Sequence, residues 1–246
     1  MTTLEMAAGE PGPWRTARGS RRFFLIMALA IAATVVFGFT LNASRFNFDV
    51  STLPPLVHLH AGLFAAWIVF FVLQSALVVS GSVALHRRLG GLGAGLAVLM
   101  VITGIAVTIA CVKRGATPPF FPPNVFLMVD ILGVLCFFGL TAAAVALRRS
   151  PEWHRRLMLC GTIMVMSPAW GRILPMPLLG PWGGWAVFGA MMAYLLAGVV
   201  YDLVTRRRIH PAYFWGGGAM FLTQILIGPV AFSPPIMAWT ASLLPS

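Results

Sequence analysis

The sequence predicts an all-α membrane protein, a bundle of seven transmembrane helices in which helices two–three and four–five repeat one hairpin. Three observations predict it. Only 9% of the residues are charged and 59% are hydrophobic, whereas a soluble domain carries roughly 25% charged residues. Apolar runs of spanning length recur along the chain, each near the roughly 20 residues that cross a bilayer core. Basic residues concentrate in alternate connections, as the positive-inside rule requires. Residues 1–22 read as a basic cytoplasmic segment, and 23–246 as a single transmembrane domain.

The first run, 23–42, follows Arg15, Arg18, Arg21 and Arg22. It is longer than a signal-peptide core and reads as an uncleaved anchor. Further runs lie at 57–80, 91–112, 125–147, 157–174, 182–204 and 213–233. The fifth is interrupted by Pro168 and Gly171, and the seventh contains Pro229 before Pro234 and Pro235. A short interfacial segment follows to Ser246. Ser150, Pro151 and Glu152 form an N-cap, a proline at the first helical position and an early acid, so the fifth helix begins there. Thr117–Asn124, with four prolines, reads as an extended connection.

With the N-terminus inside, the inner segments hold thirteen of the seventeen Lys and Arg residues. Arg45, Lys113, Arg114 and Arg172 are the four on the outer side. The implied location is a bacterial inner membrane, with the N-terminus cytoplasmic and the C-terminus periplasmic or extracellular. The bilayer accounts for the basic excess, and no basic–aromatic strip suggests a nucleic-acid partner.

Leu85-His-Arg-Arg-Leu89 recurs as Trp153-His-Arg-Arg-Leu157, sixty-eight residues later. Each copy starts an outward-running helix, as expected for a duplicated hairpin about an axis along the membrane normal. Gly91 and Gly95 form a GxxxG suited to helix packing. Cys111, Cys136 and Cys160 are scattered in apolar runs, without zinc spacing, and read as small buried hydrophobes.

Ionisable groups inside a membrane are costly and mark candidate sites. His58, His60, Asp130 and Arg172 all fall in the outer half, with Asp130 roughly 9 Å inside the fourth helix at about 1.5 Å per residue. Asp130 and Arg172 are the expected ion pair. His60 shares a helix face with Phe64, Trp67, Phe71 and Gln74; His58 points elsewhere. Tyr194 and Gln224 are candidates to extend this ligand-binding site inward, and Pro168 to break helix five beside it. At the inner face, Asp202 and Arg206 have the spacing of an i, i+4 pair. His86 and His154, equivalent in the repeat, are candidate axial ligands of a b-type haem, with the adjacent arginines on its propionates.

No HExxH, Walker loop, GxSxG elbow or acidic magnesium cluster is present, and no lysine in the seventh span could carry retinal. The chemistry therefore leans away from an enzyme. It leads to a transporter or accessory protein that binds a small ligand, ion or proton. The alternatives are a haem-holding redox protein and a structural subunit of a membrane complex or homo-oligomer.

His58-Leu-His60, Leu85-His-Arg-Arg-Leu-Gly90, Pro151-Glu-Trp-His-Arg-Arg-Leu-Met158 and Tyr201-Asp-Leu-Val-Thr-Arg-Arg-Arg-Ile-His-Pro211 together resemble a family of uncharacterised bacterial multi-pass membrane proteins. The resemblance runs from about 57 to 218 and implies the inner membrane, with no catalytic role to carry over. The HRRLG hairpin also looks loosely like small membrane cytochromes.

Overall fold

The computed structural model describes residues 13–46 and 50–244, and every regular element among them is helical. Residues 1–12 of the basic segment, and the side chains of Arg15 and Arg18, lie outside the described part. The helices are α1 (Pro13–Phe46), α2 (Pro55–Val79), α3 (Val83–Lys113), α4 (Pro123–Ala146), α5 (Pro151–Met164), α6 (Ser167–Ile173), α7 (Met176–Leu179), α8 (Gly183–Arg206), α9 (Pro211–Ala231) and α10 (Pro234–Leu243).

Among the described residues, six segments are long and apolar enough to cross a membrane: Gly19–Arg45, Pro55–Val79, Val83–Lys113, Pro123–Ala146, Met176–Arg206 and Pro211–Ala231. They mark a multi-pass membrane protein. The surface agrees, since large apolar side chains such as Val69, Leu92 and Trp215 are about two-thirds or more exposed.

The predicted fifth span is where sequence and structure part. It is divided between α5, of 14 residues, and α6, of 7. Pro168 explains the division: a proline lacks the N–H that would bond the carbonyl four residues earlier, and its ring clashes there. That carbonyl belongs to Met164, the last residue of α5. Within α6 the same proline occupies the first turn, where a missing N–H costs nothing.

α5 stands at the centre of the bundle. α1 packs on α2 and α6, α2 on α3, α3 on α4, α4 on α9, α9 on α8 and α8 on α6, while α5 packs on α4, α9, α8 and α1. Leu159, Cys160, Thr162 and Ile163, successive round the helix, are fully buried. A helix enclosed by protein need not be apolar all round, which is why α5 can begin with Glu152, Arg155 and Arg156.

Close approach depends on glycine at specific contacts. A Cβ at Gly38 would lie 2.7 Å from the Ala169 carbonyl oxygen, where α1 meets α6; at Gly216 it would lie 2.6 Å from Cys160 Sγ, where α9 meets α5. Gly91 and Gly95 are different: neither has a neighbour within 4 Å of such an atom. The predicted GxxxG contact is therefore absent within the chain, because that face of α3 points away from the other described helices.

Helix starts follow local chemistry. Pro123 follows Pro55 by 68 positions, and Pro151 follows Val83 by the same 68. The paired N-caps are Pro54 with Pro122 and Ser82 with Ser150. Ser150 stands at the expected cap with Pro151 in the first turn, although its hydroxyl makes no capping bond. The extended connection ends earlier than predicted. Pro123 and Asn124 already belong to α4, since proline is accommodated at a helix start. Asn124 Nδ2 donates to the Ala231 carbonyl at 3.0 Å.

Candidate functional site

The arginine-rich connections gather at one end of the bundle, the basic end, where α3 and α5 both begin. His86 is the fourth residue of α3 and His154 the fourth of α5. Their rings come together edge to face, with centroids 6.2 Å apart and planes at 76°. His154 Nδ1 lies 2.8 Å from the Ala144 carbonyl of α4. A carbonyl only accepts, so Nδ1 carries the proton and the Nε2 lone pair is left for another partner. His86 Nδ1 is buried and has no well-formed hydrogen bond among the described residues, although the Gln74 backbone stands close enough to interact with the ring. Sequence spacing placed both residues at helix starts; their meeting depends on α4, which packs on both α3 and α5.

Beside the pair lies an ion network. Arg156 and Asp202 have no exposed side-chain surface, and they form a two-pronged salt bridge. Arg156 Nε donates to Asp202 Oδ2 at 2.9 Å, and Nη1 donates to Glu152 Oε2 at 2.7 Å. Arg155 and Arg206 also pair with Glu152. The second lobe of Asp202 is used as well, since Oδ2 accepts the His210 backbone N–H at 3.1 Å. The Arg156 guanidinium lies 5.9 Å from the Phe24 ring centre and 5.5 Å from that of Tyr213.

The predicted Asp202–Arg206 pair is thereby corrected. The two sit one turn apart on α8, but Asp202 turns inward to Arg156 and Arg206 reaches across to Glu152. Burial alone would raise the Glu152 carboxyl. The hydrogen bond from Arg156, with the charges of Arg155, Arg156 and Arg206, outweighs burial and holds it down to about 2.

The far end holds the predicted ligand cluster in altered form. Asp130 and Arg172 form no ion pair. Asp130 Oδ2 accepts from Thr108 Oγ1 of α3 at 3.2 Å. Arg172 Nη1 donates to the Pro168 carbonyl at 2.8 Å, and its guanidinium lies 4.3 Å from the Phe39 ring centre. Arg172 finds its acceptor within its own helix, one turn back at Pro168, and so does not need Asp130. It remains within electrostatic range of both Asp130 and His60. His60 packs on Phe64 with ring centres 4.2 Å apart, and its Nδ1 is buried without a hydrogen-bond partner. Down the same face of α2, Trp67 Nε1 and Gln74 Oε1 are also buried and unpartnered.

The remaining candidates separate. His58 is exposed, 3.2 Å from the Pro54 carbonyl of its own first turn. Tyr194 hydrogen-bonds Thr34 of α1 at 2.5 Å and faces Trp170 of α6. Gln224 lies against Gly184 at the start of α8. Sequence reasoning missed Thr108 as the partner of Asp130; a hydroxyl among apolar neighbours on α3 was the available signal. It also missed Arg156 with Asp202, which lie 46 residues apart and carry no local signal. Among the described residues, no group of three or more His, Cys, Asp or Glu is placed to hold a metal ion.

No family model, curated protein or solved structure matches the chain.

Proposed function

We propose that the protein is a membrane redox protein that holds a b-type haem between His86 and His154. One observation carries this reading: the 6.2 Å between the two imidazole centres. A metal–imidazole bond is about 2.0–2.1 Å, so two rings facing each other across one metal have centres roughly 6 Å apart. Two imidazoles are too few for a metal held by protein ligands alone, whereas a haem brings nitrogens of its own and would take the two imidazoles as its protein ligands. The Ala144 carbonyl supports the same role, because such a hydrogen bond fixes the tautomer and orientation of a ligating histidine. Arg87 and Arg88, exposed one and two residues beyond His86, have the charge to meet propionates. Bound there, the iron would supply one-electron chemistry. The histidines would hold it, and the neighbouring ion network keeps α5 in place.

This reading includes the duplicated hairpin, supported by the common 68-residue offset of helix starts and histidines. It also takes α5 and α6 together as a broken seventh crossing. The charge count in the connections supports a cytoplasmic basic end, a cytoplasmic N-terminus and a C-terminus outside a bacterial inner membrane.

The test is an absorption spectrum of protein purified after expression with sufficient haem. A Soret band is expected, lost or shifted in His86→Ala and in His154→Ala and unchanged in His58→Ala. Wild-type protein without a Soret band or extractable haem would sink the proposal.

A second reading places a small ligand, ion or proton in the far-end cluster of His60, Asp130 and Arg172. The buried, unpartnered His60 Nδ1 beside two unpaired charges favours it. Ligand-dependent protection of wild-type protein against thermal unfolding, absent in Asp130→Asn and His60→Ala, is the expected result.

A further inference from the structure

A groove of about 350 Å³ opens on the outer surface between α8 and α9. Leu195 and Val199 form one wall, and Tyr213, Gly217, Gly218 and Phe221 the floor and other wall. The glycines explain why it exists. Gly217 and Gly218 thin α9 on this side, and a Cβ at Gly217 would lie 3.0 Å from Leu195 Cδ2. A Cβ at Gly218 would meet nothing within 4 Å, so its side of the groove is open space. From Tyr213 to Phe221 the groove follows α9 for eight residues, roughly 12 Å at about 1.5 Å per residue.

Two arginines adjoin one end of the groove in the chain. Ile209 lines the groove where the chain turns from α8 into α9, and Arg207 and Arg208 immediately precede it. Both arginines are exposed, and among the described residues neither takes part in an ion pair, unlike Arg206, which is tied to Glu152. Arg207 has a φ of 57°, the only left-handed non-glycine backbone among the described residues. Such a conformation costs a side-chain-bearing residue of order 1 kcal/mol and is the usual place for glycine or asparagine at a helix end. Phe214 and Trp215, at the start of α9, are 66% and 71% exposed, as expected of aromatics seated at a membrane interface.

We propose that this groove binds one anionic phospholipid, with an acyl chain lying along Gly218 and the phosphate held by Arg207 and Arg208. An apolar slot parallel to the helices suits a chain, and two exposed arginines next to its Ile209 end suit an anionic headgroup over a zwitterionic one. The site is independent of the histidine pair and stands or falls apart from any haem.

The experiment is native mass spectrometry of the full chain, released from nanodiscs of phosphatidylcholine containing a minor fraction of phosphatidylglycerol. Wild-type protein is expected to retain one phosphatidylglycerol in preference to phosphatidylcholine. The double variant Arg207→Gln/Arg208→Gln changes only exposed side chains and should lower that preference on the order of tenfold, given the usual attraction of each basic residue to an anionic surface. Gly218→Leu fills open space and should reduce retention of both lipids. Equal retention of the two lipids by wild-type protein would overturn the proposal. So would an unchanged preference in the arginine variant, or undiminished binding in Gly218→Leu.

Discussion

Arg156 and Asp202 at the basic end are fully buried and bonded to each other, while Asp130 and Arg172 at the far end meet a threonine and a backbone carbonyl instead. Both ends carry charge within an apolar bundle. They differ in how that charge is compensated. The basic-end network uses each acid more than once: Glu152 serves three arginines, and Asp202 serves Arg156 and the His210 N–H. Such closure fixes α5 against α8 and the start of α9. The far end leaves a histidine nitrogen without a partner and two opposite charges apart. A closed network specifies structure, whereas an open one has capacity for a ligand or a proton.

The largest effect should come from opening the closed network. Arg156→Met strands Asp202, and removing one member of a buried pair costs about 3–5 kcal/mol. The expected outcome is a clear fall in the detergent melting temperature, largely recovered in Arg156→Met/Asp202→Leu. Failure of the double variant to recover would mean that the network does more than pay its own desolvation.

Acid should open the same network more gradually. Glu152 lies ahead of the apolar 157–174 segment, and its folded carboxyl is held at about 2 against an ordinary 4.5. A depressed acid contributes stability that is fully present above the unfolded value and is lost as pH falls through the folded one. Melting temperature should therefore decline between about 4.5 and 2. Glu152→Gln should start lower and lose that part of the pH dependence. A parallel decline in wild type and variant would assign the acid sensitivity elsewhere.

At the far end the effects shrink. Tyr194→Phe removes the bond to Thr34 and should cost about 1 kcal/mol, read from chemical denaturation in detergent. Asp130→Asn retains an acceptor for Thr108 and breaks no ion pair. Its effect should be under about 1 kcal/mol. A loss as large as that of Arg156→Met would erase the distinction between the two ends and show that Asp130 and Arg172 are coupled as strongly as a buried pair.

The comparison also shows which parts of the site were legible. His60, Trp67 and Gln74 were read correctly as one face of α2, because helical spacing fixes direction within a single element. Asp130 and Arg172 were placed in the same half by depth, but depth says nothing about which rotamer or neighbour each side chain takes. The Asp202–Arg206 spacing was real, and it misled because a stronger partner stood on another helix.

By itself the sequence determined the helical, membrane-crossing class, the alternation of basic connections, the start of α5 at Pro151 and the interruption near Pro168. Each is set by hydropathy or by backbone sterics over one or two turns. Only the tertiary structure decided that α5 stands at the centre, that Arg156 takes Asp202, and that His86 meets His154. Those depend on lateral packing among helices whose lipid-facing and protein-facing sides are both apolar, so the hydrophobic pattern that locates each helix carries little information about its neighbours.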